Sequence, residues 1–102
     1  MATTDAAAAP ETLVTTVLLT PTDAAKKLAR ADAMTVCQAF SAMLGARVKV
    51  VTCDAHPVAD GAHIVMVLTM QATATRVARV ALRQAIAALP LAGYEGRGAG
   101  VR

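Results

Sequence analysis

Apolar runs alternate with polar, turn-forming segments along the chain, and this pattern predicts the order of its elements. Residues 13–19 are β-branched or apolar on both faces, as in an interior strand that helices cover on at least one side. Residues 47–53 alternate polar and apolar positions before turning apolar, which indicates a strand at or near a sheet edge. Residues 63–70 form a strongly apolar strand, and residues 54–62 before it hold proline, aspartate and glycine. We therefore predict a β-hairpin with a long loop over residues 47–70.

A helix is predicted between the first strand and the hairpin, over residues 21–44. Thr20 can cap this helix, Pro21 suits its first position, and Asp23 complements the positive end of its dipole. Gly45 follows as a C-terminal stop. These signals predict a helix that starts directly after the first strand.

The apolar stripe of this helix changes phase midway. Leu28 and Ala33 are five positions apart instead of three or four, which rotates the stripe out of line. We therefore expect the first helix to be bent or broken near residues 30–32, with Asp32 as a second cap.

A second helix and a short final strand complete the pattern. Thr73 or Thr75 can cap the helix, which runs to about Leu89 and ends at the proline that follows. Its inner face is formed by apolar residues at helical spacing, namely Val77, Ala81, Leu82, Ala85, Ile86 and Leu89. A fourth strand is expected at residues 91–95, followed by a flexible tail over residues 96–102.

The element order is β-α-β-β-α(-β), which predicts an α+β fold. Such chains form an antiparallel sheet with helices on one face, of ferredoxin-like or SEA-like type. A chain of 102 residues has room for one core. We therefore expect a flexible leader over residues 1–11 and a single domain over residues 12–95.

Composition bears on how stable this domain is. Apolar residues make up 56% of the chain, but aromatic residues make up only 2%. The core must therefore be built from small aliphatic side chains, each of which buries little area. Because such a core is only modestly stable alone, we expect a homo-oligomer or a place in a larger assembly.

Charge and hydropathy exclude two classes of partner. The net charge is only +3, and the two aromatic residues, Phe40 and Tyr94, offer no set of stacking platforms for bases, so nucleic acid is disfavoured. No apolar run approaches the roughly 20 residues that span a bilayer, and residues 1–10 lack the basic start of a signal peptide. Neither membrane insertion nor secretion is predicted.

The cysteines and the missing motifs argue against an enzyme. Cys37 and Cys53 fall in predicted regular elements without a disulfide-framework spacing, so we expect reduced thiols and a cytoplasmic location. Cys37 lies in an apolar stripe and is interpreted as core filling rather than as a nucleophile. The sequence holds no paired carboxylates, no G-x-G-x-x-G and no glycine-rich phosphate loop. No catalytic residue and no cofactor are predicted.

The hairpin loop gathers the candidate metal ligands. Cys53, His56 and His63 would supply a thiolate and two imidazoles, which suit zinc, and Asp54 and Asp60 lie beside them. Their spacing matches no standard zinc pattern, so a solvated loop is favoured over a metal site.

Two groups of basic residues recur at helical spacing opposite the apolar faces. They are Lys26, Lys27 and Arg30 on the first helix and Arg76, Arg79 and Arg83 on the second. Solvated helix faces explain such stripes in most proteins. The sharper interpretation is a binding surface for an acidic protein, such as a tubulin-like surface.

The chain also resembles the SEA-domain plan, in which a glycine leads directly into an apolar strand. The matching residues are Gly61-Ala62-His63-Ile64-Val65-Met66-Val67, after Val48-Lys49-Val50-Val51. Similar modules occur in cytoskeletal and flagellum-associated proteins of kinetoplastids, and the resemblance covers residues 12–90. It implies an interaction or structural module, with a cytoskeletal association. Self-cleaving members carry a serine after the glycine, where this chain has Ala62, so self-cleavage is not implied.

Three hypotheses follow from the sequence. The first is a non-catalytic protein-interaction or assembly module that uses strand edges, helix faces or the 54–62 loop. The second is a small-ligand-binding regulatory domain of ferredoxin-like type, dimeric through its sheet. The third is a metal-binding or thiol-dependent enzyme that uses Cys53, His56 and His63.

Overall fold

A computed structural model describes residues 11–45 and 47–98, and it confirms an α+β fold with a four-stranded antiparallel sheet and two helices. The elements are β1 (Glu11–Pro21), α1 (Arg30–Leu44), β2 (Lys49–Val58), β3 (His63–Ala72), α2 (Thr75–Ala88) and β4 (Tyr94–Gly98). Short 3-10 helices lie at Ala59–Gly61 and Leu89–Ala92. Most of the predicted leader and the last four residues of the predicted tail lie outside the described residues.

The strands are arranged in the order β2-β3-β1-β4, so β1 and β3 are central and β2 and β4 are edges. β1 pairs with β3 along nearly its whole length, with Leu13 opposite Met70 and Leu19 opposite Ile64. Both helices pack on the face that carries these buried residues. The apolar runs predicted for β1 and β3 therefore mark the two strands at the centre of the sheet.

The core lies between this sheet face and the helices. Alternate residues of β3 are buried, as strand periodicity requires. The largest fully buried side chains are Phe40, Leu19, Leu44, Ile64, Met66, Leu68, Met70, Leu89 and Val17. Phe40 is the one aromatic residue among them, and α2 contributes mainly alanines to the same core. This agrees with the small-residue core expected from composition.

The prediction that the first helix starts near residue 21 is wrong. β1 continues through Pro21, and α1 begins only at Arg30. The Asp23 carboxylate accepts the N–H of Ala25 at 3.0 Å, which makes a local turn instead of a helix cap. Leu28 is buried and donates its N–H to the Gly61 carbonyl at 2.8 Å, so a distant turn fixes this non-helical segment.

The expected break at residues 30–32 is therefore the start of the helix. The Asp32 carboxylate accepts the N–H of Ala29 at 2.8 Å, one turn back. Asp32 occupies the third helical position instead of the cap position, but it satisfies one of the free backbone donors of the first turn.

The predicted long loop at residues 54–62 is also wrong in extent. β2 runs through Val58, and only residues 59–62 connect it to β3. Pro57 fits within this strand because β2 is an edge, where one backbone N–H can be missing. Ala59, Asp60 and Gly61 all have positive φ, which closes the hairpin in a few residues.

The C-terminal elements shift by a few residues from the prediction. Thr75 is the first residue of α2 rather than its cap, which is Ala74. The fourth strand occupies Tyr94–Gly98 instead of residues 91–95, because Leu89–Ala92 forms a 3-10 helix and Gly93 turns the chain at φ +90°. The start of the predicted tail is thus part of the sheet.

The expectation of reduced thiols is contradicted, since Cys37 and Cys53 form a disulfide that links α1 to β2. Packing of α1 on β2 brings the two Cα atoms to 6.2 Å, within the range that a disulfide spans. The cytoplasmic location rested in part on free thiols and now lacks that support, so it stays a prediction.

Candidate interaction surface

The side of the sheet opposite the helices carries a mixed apolar and polar surface that no element of residues 11–45 and 47–98 covers. We call this surface the open face. Its central residues come from alternate positions of β1 and β3, and its margins come from the two edge strands. The members are Val14, Thr16, Leu18, Thr20, His63, Val65, Val67, Thr69, Asp54, His56, Glu95 and Arg97.

Strand register arranges these residues in rows across the sheet. In one row, His56 pairs with Val65, Val65 with Leu18, and Leu18 with Arg97. In the next row, Asp54 pairs with Val67, which pairs with Thr16. The first row therefore has an apolar centre and polar ends, and the second places one apolar side chain, Val67, between polar ones.

The apolar centre is unusually accessible for central strands. Val14 is 42% exposed and Leu18 is 37% exposed, while Val65 and Val67 are half-buried. Antiparallel sheets often leave one face to solvent, but that face then carries mainly polar residues. Neighbouring valine and leucine side chains on one open sheet face are typical of a surface that meets a partner.

One end of the open face forms a shallow depression of about 320 Å³. It is lined by Leu18, Thr20, His63, Glu95 and Arg97. The Thr20 hydroxyl and the Nδ1 atom of His63 are 3.1 Å apart and hydrogen-bonded, which orients the imidazole. The depression thus brings a cation, an anion and a fixed imidazole together beside an apolar side chain.

The predicted metal ligands do not converge. Cys53 pairs with buried Leu68 and is bonded to Cys37, so it lies on the helix side of the sheet. His56 and His63 lie on the open face instead. Within the described ranges, no three His, Cys, Asp or Glu side chains are grouped closely enough to hold a metal ion.

The structure places the two predicted basic groups differently. Arg76, Arg79 and Arg83 are exposed along α2, as expected of a helix stripe. Lys26, Lys27 and Arg30 are also exposed. However, the two lysines precede α1, so these three residues do not form a helical stripe.

One of these cations is already engaged. The Lys26 ammonium lies 3.7 Å from the Asp32 carboxylate in a solvent-accessible ion pair. An exposed pair of this kind contributes little to stability. Binding of an acidic protein by either basic group stays a prediction.

The open face was not singled out from the sequence, although part of its signal was present. β1 was predicted as apolar on both faces, and its outward positions do include Val14 and Leu18. Which face the helices would cover, and how the four strands would align these residues, are properties of the assembled sheet.

No helix in the described part of the chain combines the length and apolar character needed to cross a membrane.

Similarity to known proteins adds no further constraint. Comparisons with protein-family models, with curated proteins and with solved structures found no match to this chain. We therefore infer function from the α+β architecture and from the open face.

Proposed function

We propose that this protein is a non-catalytic interaction module that pairs with a second copy of itself through the open face. The observation that carries the proposal is the exposure of Val14 and Leu18 on a central strand, next to half-buried Val65 and Val67. Burying apolar area of this kind is the main driving force for association. The small-residue core supports the same conclusion, because added contact area would stabilise a thin domain.

Two sheets can stack about 10 Å apart with their strands nearly aligned. If the two-fold axis runs along the strands, β3 of one copy lies over β1 of the other. Val65 then faces the partner's Leu18, and apolar groups meet at the centre of the interface.

The margins of the open face are complementary in the same arrangement. β2 of one copy lies over β4 of the other, because the axis reverses the order of the strands. His56 then lies over the partner's Arg97, since both belong to the row of Val65 and Leu18. Asp54 lies one row along β2, where the long side chain of the partner's Arg97 reaches it. Opposite charges at the rim favour this orientation over the alternative in which β2 lies over β2.

The finer aspects of the fold are part of the proposal. The order β2-β3-β1-β4 in a β-α-β-β-α-β chain supports a ferredoxin-like arrangement. The resemblance to the SEA-domain plan and a cytoskeletal association stay predictions. An enzyme that uses Cys53 with the histidines is not retained, because Cys53 lies on the other side of the sheet from them.

A second candidate function is the binding of a small molecule at the depression beside His63. Arg97 can hold a carboxylate, Glu95 can hold an ammonium group, and Leu18 offers an apolar contact. These groups suit a free amino acid, as in a regulatory ligand-binding domain.

Sedimentation equilibrium or light scattering of the wild-type chain at 5–500 µM tests the first proposal. We expect a dimer that Leu18→Lys weakens at least about tenfold, equivalent to about 1.4 kcal/mol. Leu91→Lys is the matched control, because Leu91 is 93% exposed but lies off the open face. Circular dichroism verifies that both variants fold.

The charge arrangement is tested by a reversal. Asp54→Arg or Arg97→Asp alone should weaken the dimer, and the two together should restore it. A wild-type chain that stays monomeric up to 500 µM would refute self-association. In that case, a thermal shift with free amino acids that Arg97→Gln abolishes would favour the second candidate.

A further inference from the structure

The disulfide opens onto a second depression, away from the open face. This depression has a volume of about 290 Å³ and lies between α1 and the edge strand β2. Cys37 and Cys53 are among its lining residues, and both are only partly buried. A disulfide is cleaved only when a thiolate can reach one of its sulfur atoms, and this depression supplies the route.

The size of the depression selects for small molecules. It lies at the lower end of the range for ligand pockets, about 300–1,000 Å³. A peptide-sized thiol can enter it, whereas a folded protein cannot. Met34, an exposed thioether side chain on α1, provides an apolar wall.

The charged group at the depression indicates the chemistry of that thiol. Arg30 presents a guanidinium at the start of α1. Asp54 and His56 border the depression from β2, but their side chains belong to the open face, since they alternate with Cys53 along the strand. A guanidinium binds a carboxylate well, so the depression matches a thiol that carries a carboxylate.

The fold also accommodates the reduced state. The Cys37 sulfur lies 2.9 Å from the Cys53 carbonyl oxygen. In the disulfide the Cys37 sulfur carries no hydrogen to donate. A reduced Cys37 thiol can donate a hydrogen bond to that oxygen. Val36, Phe40 and Leu44 keep α1 packed on the sheet, so the two sulfur atoms stay close after the bond is broken.

We propose that the Cys37–Cys53 disulfide is a reversible exchange site for a small thiol that carries a carboxylate group. The thiolate of the ligand attacks one cysteine sulfur and forms a mixed disulfide with it. The Cys37–Cys53 bond breaks, and its electron pair leaves with the other sulfur as a thiolate. That thiolate can re-form the bond and expel the ligand, or a second ligand thiol can cleave the mixed disulfide to leave the dithiol and an oxidised ligand dimer.

Glutathione is the probe, and the neutral thiol 2-mercaptoethanol is the reference. The full-length oxidised chain is mixed with each thiol, quenched with acid and analysed by intact mass. The readout is the ratio of the rate constant for glutathione to that for 2-mercaptoethanol. A variant that only alters the exposure of the disulfide changes both rate constants alike, so its effect cancels in this ratio.

We expect mixed disulfide to form on the folded chain, and Arg30→Gln to lower the ratio about two- to fivefold, the size of an exposed charge contact. Arg76→Gln on α2 is the matched control and should leave the ratio unchanged. A ratio equal in wild type and Arg30→Gln would overturn the assignment of the ligand. A folded chain whose disulfide neither thiol cleaves would overturn the exchange site itself.

Discussion

Replacing Gly61 by alanine tests how the turn after β2 holds the segment before α1. Gly61 has φ +87°, a conformation that side chains with a Cβ atom adopt poorly. A Cβ added there would lie 2.7 Å from the Leu28 carbonyl oxygen and 2.9 Å from the Leu28 nitrogen. The Gly61 carbonyl also accepts the Leu28 N–H at 2.8 Å. The substitution therefore strains the turn and pushes away the irregular segment that it anchors.

The magnitude follows from two contributions. The left-handed conformation costs alanine about 1–2 kcal/mol, and the reduced freedom of the unfolded chain offsets about 0.4–1 kcal/mol of that. Displacement of Leu28 adds the lost hydrogen bond, about 1 kcal/mol, and part of the roughly 1.5–3 kcal/mol gained by burying its side chain. We expect Gly61→Ala to lower the free energy of unfolding by about 3 kcal/mol.

Gly93→Ala is a matched control. Gly93 has φ +90°, and its carbonyl accepts the N–H of Thr22 at 3.0 Å, at the other end of the same segment. However, a Cβ at Gly93 meets no atom within 4 Å. Gly93→Ala should therefore lower stability by only about 1 kcal/mol, the conformational contribution alone.

Urea denaturation followed by circular dichroism measures both variants. The difference between them isolates the contact with Leu28, because the conformational effects cancel. A difference of about 2 kcal/mol corresponds to about 8–16 °C in melting temperature for a domain of this size. Equal stability of the two variants would refute the close packing of Gly61 on Leu28.

Two further predictions concern the connections of β2. Replacing Cys37 and Cys53 by serine should lower the free energy of unfolding by about 3 kcal/mol, since the bridge closes a loop across a sequence separation of 16. The reduced wild-type chain should unfold at about the same urea concentration as the double variant. An oxidised wild-type chain that also unfolds at that concentration would contradict this prediction. Ala59→Gly should raise stability by about 0.5–1 kcal/mol, because Ala59 has φ +52° and glycine relieves that strain. An unchanged or lower midpoint in urea would count against the turn geometry.

The strands and helices that were predicted well are those whose signal is local. The runs at residues 13–19 and 64–70 are mostly apolar or β-branched, and they form the paired central strands. The apolar face of α2 at Ala81, Leu82 and Ala85 is buried as its spacing indicated. Local periodicity suffices in these cases because burial of the element follows its own sequence.

The start of α1 could not be found in the same way. The signals at Thr20 and Asp23 are ordinary helix caps, but Thr22 and Leu28 donate their N–H groups to Gly93 and Gly61 instead. Those acceptors lie 71 and 33 positions away in the sequence. Hydrogen bonds of this range override a local preference that is worth about 1 kcal/mol.

The disulfide and the open face were missed for a similar reason. Cys37 and Cys53 meet only because α1 packs on the edge strand, and their spacing alone carries no such information. The row from His56 through Val65 and Leu18 to Arg97 joins four strands, and no local pattern encodes that register.

The sequence by itself determined the α+β class, the identity of the central strands and the small-residue character of the core, because these depend on the apolar pattern of each segment. Tertiary structure decided where α1 begins, that the cysteines are bonded, and which sheet face stays open. These properties depend on backbone groups and side chains that meet only after distant segments have packed.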